Sequence, residues 1–195
     1  MSTAVAVQPR VLADLVPRAR VRDAALIVGA AALTALCAQI SFHLPGLTVP
    51  VTGQTFAVLL SGAALGANRG AAAMLLYIVV GMVGVPVYAD GAHGVAIVTG
   101  ATGGYLIGFL VAGWVVGRLS ERRLDRTPLT ALPLFVVGSA IVYAIGVPWL
   151  AVSADMSIGK AIADGFVPFI PGDVVKAVAA GALLPAAWKL AGRRD

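Results

Sequence analysis

Six apolar stretches make up most of this chain and decide what it can fold into. They lie at about 24–42, 53–66, 70–88, 101–119, 131–152 and 171–190. A helix needs roughly 20 residues to cross the hydrocarbon core of a bilayer, and five of the stretches are near that length. The second is short, so we expect its helix either to cross at a thin point or to begin earlier, near Thr48. The pattern predicts an all-α, polytopic membrane protein with six transmembrane helices in one bundle.

The shortage of charged residues points the same way. Only 12% of the 195 residues are charged and 59% are hydrophobic, whereas a soluble domain has about 25% charged residues. So few charges cannot cover a water-facing surface, and the excess apolar side chains must face lipid. The net charge of +5 does not indicate a nucleic-acid partner, because the basic residues form no face with interleaved aromatics. Cys37 is the single cysteine, which excludes an intrachain disulfide, and we expect neither a metal nor a cofactor.

The basic residues lie between alternate apolar stretches, and this distribution predicts the orientation in the membrane. Twelve of the 14 fall on one side of a six-span bundle: Arg10, Arg18, Arg20, Arg22, Arg69, Arg118, Arg122, Arg123, Arg126, Lys189, Arg193 and Arg194. Cytoplasmic loops carry the excess of Lys and Arg, so both termini are predicted to be cytoplasmic at the plasma membrane, with Arg69 as a determinant of topology. Residues 1–23 are then a cytoplasmic segment, 24–190 the transmembrane domain and 191–195 a cytoplasmic tail.

Asp173 and Lys176 are the strongest functional candidates, because charge near the membrane interior is costly and usually functional. Their i, i+3 spacing places both on one face at the outer start of the sixth helix. The helix dipole there favours an anion, so Asp173 would stay a carboxylate that accepts N–H donors from a ligand. Lys176 could donate to a ligand carbonyl or neutralise a ligand carboxylate. The alternative is that Asp173 caps the helix and pairs with Lys176 only to cancel charge, and both interpretations stay open.

Polar groups at the outer ends of other spans are further candidates. Gln54 begins the second span after a proline-rich turn, and a buried amide needs partners. A ligand's polar head would serve, and so would an interhelical hydrogen bond. Thr102, Gly104 and Tyr105 stand at the outer start of the fourth span, where glycine allows close approach of a ligand or of another backbone. Tyr77 completes the set, although aromatic residues near span ends often serve as interface anchors.

Small residues on the first span predict close packing of that helix. Ala31 and Ala35 form a small-xxx-small pair, with Ala38 close to the same face. The face could pack inside the bundle or dock a separate membrane subunit, and spacing alone does not decide between them.

Catalysis finds little support in the sequence. No G-x-x-x-x-G-K-[ST] motif occurs, so ATP binding through a P-loop is not expected. Neither H-E-x-x-H nor G-x-S-x-G is present, and no paired carboxylates lie within a span. Ligand binding is therefore favoured over an enzymatic function.

Five short segments between about 24 and 190 resemble one family in their order and spacing. They are Leu44-Pro45 with Val49-Pro50-Val51-Thr52-Gly53-Gln54-Thr55, then Leu65-Gly66-Ala67-Asn68-Arg69-Gly70, then Tyr77 with Gly84-Val85-Pro86-Val87, then Thr102-Gly103-Gly104-Tyr105-Leu106-Ile107-Gly108-Phe109, and finally Pro171-Gly172-Asp173-Val174-Val175-Lys176. Together they resemble the BioY family, the biotin-specific S components of energy-coupling factor (ECF) transporters. The chain departs from the family's pattern at Ala101, where proline is usual, and at Gly53, where an apolar residue is usual.

The resemblance implies a six-helix S component that binds biotin from outside the cell and delivers it inward, without being an enzyme. Asp173 and Lys176 would help hold biotin's polar groups. The small face of the first span would dock the ECF transmembrane coupling subunit, which ATPase subunits drive. The alternatives are an S component for another vitamin or small metabolite, and an integral membrane enzyme acting on lipid or prenyl substrates. Whether the protein forms a homo-oligomer stays open.

Overall fold

The computed structural model describes residues 10–15 and 20–192, most of which are helical. The helices are α1 Arg20–Ala38, α2 Gln54–Leu65, α3 Ala67–Met82, α4 Val95–Thr99, α5 Gly103–Ser120, α6 Pro128–Ser153, α7 Ile158–Gly165 and α8 Ile170–Ala191. Short 3-10 turns occur at Leu12–Leu15, Ala89–Gly91 and Val167–Phe169. Two antiparallel strands, β1 Ser41–Phe42 and β2 Val51–Thr52, form a small hairpin between α1 and α2. Most of the predicted tail 191–195, and the topology residues Arg18, Arg193 and Arg194, lie outside the described residues.

Within the part of the chain that the structure describes, four helical stretches are long and apolar enough to cross a membrane. They are α1, α5, α6 and the stretch Ile158–Ala191, which joins α7 to α8. Helices α2 and α3 are apolar but shorter, with 12 and 16 residues. The expectation of a helical membrane protein is confirmed, whereas the count of six spans stays a prediction.

The sequence did not decide where the helix of the second apolar stretch begins. In the structure this helix begins at Gln54. Thr48 lies instead in the loop of the β1–β2 hairpin, where Pro45 and Pro50 prevent a regular helix. At its other end α2 is separated from α3 by Gly66 alone, whose φ of 86° turns the chain sharply. The second stretch is therefore a short helix that leads directly into the third.

The third predicted stretch, 70–88, extends past the C-terminal end of helix α3. Helix α3 ends at Met82, because Gly84 follows with a φ of 105° and Pro86 cannot continue a helix. Two connections that we expected to be loops contain short helices. Helix α4 lies in the connection before α5, and helix α7 lies in the connection after α6. Helix α4 contributes Ile97 to the cavity described below, and the end of α7 is hydrogen-bonded to α5 beside it.

Helix α5 packs against α2, α3 and α6, and its glycines allow their backbones to approach closely. A Cβ placed on Gly108 would stand 3.0 Å from the Cα of Val142 in α6. One placed on Gly117 would stand 2.4 Å from the carbonyl carbon of Gly66, between α2 and α3. Small residues of this kind permit tight helix packing where lipid supplies no hydrophobic driving force.

The bundle has two chemically different ends. The loop end carries the β1–β2 hairpin, the connection from α3 to α4 and the start of α8. The arginine end carries the start of α1 and the short connections after α2 and α5. Nine of the eleven described basic residues cluster there: Arg10, Arg20, Arg22, Arg69, Arg118, Arg122, Arg123, Arg126 and Lys189. The helix arrangement thus separates the ends as the charge pattern predicted, and which end faces the cytoplasm stays a prediction.

Arg69 forms ion pairs with two carboxylates at the arginine end. Its Nη1 lies 3.3 Å from Asp14 Oδ1, and its Nε lies 3.3 Å from Asp23 Oδ1. Burial raises the pKa of Asp14, but hydrogen bonds from Arg69 and from two backbone N–H groups outweigh burial and hold that pKa below its usual value. Arg69 therefore ties the N-terminal 3-10 turn and the start of α1 to α3.

Candidate ligand-binding site

A cavity of about 230 Å³ lies at the loop end of the bundle. Its apolar walls come from Val49, Ile97, Leu106, Phe109, Val142 and Phe169. The volume is just below the range of about 300–1,000 Å³ typical of pockets for drug-sized ligands. An apolar cavity of this size with a few polar groups suits a small metabolite.

Gln54 provides the first polar group of the cavity. It begins α2 and is almost fully buried, and its Nε2 donates to the hydroxyl of Tyr77 in α3 at 2.8 Å. Its Oε1 accepts from Thr52 Oγ1, also at 2.8 Å. Tyr77 in turn donates to the backbone carbonyl of Val87 at 3.1 Å. A primary amide has two N–H donors, so this network fixes Gln54 and leaves one N–H for a ligand.

Tyr105, Tyr143 and Phe169 form an aromatic wall of the cavity. The ring centroids of Tyr105 and Tyr143 are 6.3 Å apart, and Phe169 lies 6.5 Å from Tyr105 and 6.1 Å from Tyr143. The Tyr105 hydroxyl donates to the carbonyl of Gly165 at 2.9 Å, which ties α5 to the end of α7. The two contacts of Tyr143 are edge-to-face and that of Tyr105 with Phe169 is stacked, and both arrangements stabilise the wall. The hydroxyl oxygens of Tyr105 and Tyr143 retain acceptor capacity.

The Asp173–Lys176 pair does not line the cavity but is hydrogen-bonded to Tyr143 of this wall. Tyr143 donates a short hydrogen bond to Asp173 Oδ2, and Lys176 Nζ donates to Asp173 Oδ1 at 3.0 Å. Neither charged residue lines the cavity; both border a separate recess of about 10 Å³, which shares Thr55 with the cavity. On the other side, Tyr143 and Asp173 border an apolar groove of about 750 Å³ between α6, α7 and α8. The carboxylate is therefore linked to the cavity through the Tyr143 hydroxyl.

The remaining predicted residues at the start of α5 divide between the cavity and the packing. Thr102 lines the cavity, and its Oγ1 donates to the carbonyl of Ile97 at 3.1 Å. Gly104 faces α6 instead, because a Cβ placed on it would stand 2.2 Å from the Cβ of Trp149. The sequence allowed Gly104 to permit the close approach of either a ligand or another backbone. The structure supports the second alternative.

Three of the seven predicted ligand residues thus line the cavity: Gln54, Thr102 and Tyr105. Tyr77 and Asp173 each hydrogen-bond a lining residue, and Lys176 is connected through Asp173. Their roles in binding stay predictions.

The small face predicted on α1 packs largely inside the chain. Ala31 and Ala38 are buried and Ala35 is half-buried, in a helix that packs against α2 and α3. Internal packing, one of the two alternatives for this face, is what the structure shows for Ala31 and Ala38. The opposite face of α1 is exposed and carries Ala25, Gly29, Ala32 and Leu36.

Sequence reasoning missed several residues of the site. Tyr143 is the most important, and a signal was available, because its hydroxyl lies in the otherwise apolar stretch 131–152. Phe109 and Phe169 gave no signal, since an aromatic residue in an apolar stretch is ordinary. His43 and Asp90 also line the cavity, although 47 positions of sequence separate them. Within residues 10–15 and 20–192, no group of three or more His, Cys, Asp or Glu is placed to hold a metal ion.

Comparison with known sequences gives one consistent family. The profile of the BioY family matches residues 8–193. The biotin transporter BioY of Rhizobium etli is 38% identical over 144 residues, which cover 70% of this chain and 76% of that protein. The biotin transporter BioY of Rhodobacter capsulatus is 41% identical, covering 70% of this chain and 77% of its own. The probable biotin transporter BioY of Pyrococcus horikoshii is 37% identical, covering 83% and 93%.

Comparison with solved structures gives a matching fold. The crystal structure of the S-component for biotin from an ECF-type ABC transporter superposes with a TM-score of 0.80. The match covers 87% of this chain and 92% of the other, at 21% sequence identity. The arrangement of helices described above is therefore that of a known S component.

Proposed function

This chain belongs to the BioY family, and from that premise we propose that it binds biotin and serves as the S component of an ECF-type transporter. It would take biotin from outside the cell and deliver it inward, with the energy supplied by partner subunits. The observation that carries the proposal is the cavity at the loop end, which combines apolar walls with buried, neutral hydrogen-bonding groups.

The hydrogen-bond donors and acceptors of the cavity complement those on the head of biotin. Biotin's bicyclic head carries a ureido group with two N–H donors and one carbonyl acceptor. The spare N–H of Gln54 can donate to that carbonyl, and the hydroxyl oxygens of Tyr105 and Tyr143 can accept from the N–H groups. A site built to hydrogen-bond a ligand discriminates strongly against analogues that leave its buried groups unpaired.

Asp173 and Lys176 act through Tyr143 in this proposal. A hydroxyl that donates to a carboxylate becomes a better acceptor, because hydrogen bonds in a chain polarise one another. Lys176 balances the charge of Asp173, so that the carboxylate is retained in an apolar region. The pair would thus orient and polarise the tyrosine that meets the ligand.

Purified protein in detergent is expected to bind biotin with a Kd of about 1 μM or tighter, that is, with at least about 8 kcal/mol of binding free energy. Isothermal titration calorimetry on a monodisperse sample measures this directly. Thiamin, which has no ureido group, is the negative ligand. Tight binding of another vitamin in place of biotin would move the protein to a different S component, and turnover of a lipid or prenyl substrate would favour the enzyme alternative.

We further propose that the six-helix bundle is inserted with the loop end outward and both termini in the cytoplasm. The basic residues clustered at the arginine end support this orientation, since cytoplasmic loops carry the excess of Lys and Arg. The cavity would then receive its ligand from the outside, beneath the β1–β2 hairpin and the Ala89–Gly91 turn.

The exposed face of α1 is the surface we propose for the transmembrane coupling subunit, whose ATPase partners would supply the energy. Gly29 lies at its centre, and a Cβ placed there would have no neighbour within 4 Å. A partner helix can approach such a face closely. Ala35 borders it, whereas Ala31 and Ala38 support it from inside the bundle.

Gly29→Leu is therefore expected to reduce recovery of the coupling subunit about tenfold, because overpacking a helix contact costs about 1–3 kcal/mol. Biotin binding by the isolated chain should be unchanged. Co-purification of the coexpressed complex, with the captured coupling subunit quantified per S component, measures the effect. Gly159→Leu is the matched control, since Gly159 in α7 also has open space around it. Equal recovery from the two variants would contradict docking through this face.

A further inference from the structure

The mouth of the cavity is closed on one side by a contact between two loops. His43 follows β1 of the hairpin, and its Nε2 lies 3.2 Å from Oδ2 of Asp90 in the 3-10 turn after α3. Ser41 Oγ donates to the same carboxylate oxygen at 3.3 Å. The His43 side chain is 65% exposed and that of Asp90 is 50% exposed, yet both residues line the cavity. The pair therefore stands where the cavity meets solvent.

His43 is also the one cavity-lining residue, among those that the structure describes, whose side chain can carry a positive charge. Lys176 borders the separate recess, and its Nζ is engaged by Asp173. The described arginines lie at the arginine end. Among the described residues, an anionic group bound in the cavity can thus meet a basic side chain only at the mouth.

The deeper part of the cavity is built for neutral groups. Gln54, Tyr105 and Tyr143 are buried there and offer amide and hydroxyl hydrogen bonds without a net charge on the lining itself. A carboxylate taken into that region would lose its hydration without gaining a cation, which is costly. A ligand with a neutral polar head and an acidic tail is therefore oriented with its head inside and its tail at the mouth.

We propose that His43 holds the carboxylate of the bound ligand at the cavity mouth and thereby selects for an acidic tail. Asp90 is the internal partner that keeps His43 over the mouth before the ligand arrives, and the ligand carboxylate takes its place. This inference rests on the proposed function, because it takes biotin as the ligand. It adds a residue that determines which end of the ligand faces outward.

The test compares two ligands that share one head, biotin and biotinamide, whose tail amide carries no charge. The measured quantity is the ratio of their affinities in each variant. His43→Gln should reduce the preference for biotin about three- to fivefold, the size expected for a partly exposed charge pair. His43→Arg should retain the preference, because a guanidinium supplies a cation at the mouth. His93→Gln is the matched control, since His93 is exposed and does not line the cavity.

Asp90→Asn is expected to change the ratio of affinities in the opposite direction. It therefore distinguishes a contact between His43 and the ligand from a role of the pair in loop closure alone. It frees His43 and removes a carboxylate that repels the ligand tail, so the preference for biotin should rise by a similar factor. If the pair served only to close the loops, His43→Gln and Asp90→Asn would weaken both ligands equally and leave the ratio unchanged, which would overturn the inference. If the folded parent bound neither ligand, the proposed function itself would fail, and that outcome is distinct from an unchanged ratio.

Discussion

Replacing Gly62 by leucine is expected to prevent the chain from folding into its bundle. A Cβ on Gly62 in α2 would stand 2.6 Å from the carbonyl oxygen of Gly113 in α5. A Cβ on Gly70 in α3 would stand 3.0 Å from the Cα of Gly62 and 3.2 Å from the same carbonyl oxygen. Three helices therefore meet here backbone to backbone, and no flexible side chain can move aside. The helices would have to separate, and with them the walls of the cavity.

Gly62→Ala alone should cost about 1–3 kcal/mol, the usual penalty for overpacking, and Gly62→Leu should leave little monodisperse protein after detergent extraction. Size-exclusion chromatography and thermal unfolding in detergent measure the two effects. Gly159→Leu provides the control for adding a leucine side chain where there is open space. A monodisperse Gly62→Leu protein that binds biotin like the parent would show that the glycine crossing does not hold the bundle together.

The helical membrane fold was predictable because hydropathy over about 20 residues reports directly on burial in lipid. The predicted stretch 101–119 corresponds closely to α5, Gly103–Ser120. Prediction failed where single residues override the average. Helix α3 ends six residues before the predicted limit of 88, at Met82, since a positive φ at Gly84 stops it within a stretch that is still apolar.

The site was harder to predict because it depends on segments that are distant in the sequence. Gln54 and Tyr105 could be singled out, since each is a polar group at the start of an apolar helix. The link from Asp173 to the cavity could not, because it requires Tyr143 to approach from another helix. The contact of His43 with Asp90 likewise depends on two loops meeting at one end of the bundle. Spacing identifies residues on one helix face, but not which helix that face meets.

Lys176→Met is expected to lower the melting temperature in detergent by roughly 10 °C, because it leaves the Asp173 carboxylate without its counter-ion. The side chains of Lys176 and Asp173 are only 17% and 11% exposed, and their charged atoms are 3.0 Å apart. Breaking one side of a fully buried pair costs about 3–5 kcal/mol, and the lower end of that range applies to this part-buried pair, whereas removing both sides is often close to neutral. Asp173→Asn should be similarly destabilising, and the double variant Asp173→Asn/Lys176→Met should melt near the parent. Lys160 and Asp164 in α7 form the control pair, since Lys160 is largely exposed and their loss should cost less than about 1 kcal/mol.

Biotin binding by the double variant decides whether the pair serves the ligand or only cancels charge. With stability restored, any loss of affinity reports on Tyr143, whose hydroxyl no longer donates to a carboxylate. We expect the Kd to rise about two- to threefold, because the Tyr143 hydroxyl still accepts from the ligand and loses only its polarisation by the carboxylate. Tyr143→Phe should raise the Kd about tenfold, equivalent to about 1.4 kcal/mol, because it removes the hydroxyl that accepts from the ligand. Adding the double substitution to Tyr143→Phe should produce little further change, because Asp173 and Lys176 act through that hydroxyl. A double variant that melts and binds like the parent would establish that Asp173 and Lys176 stabilise the start of α8 and play no part in holding the ligand.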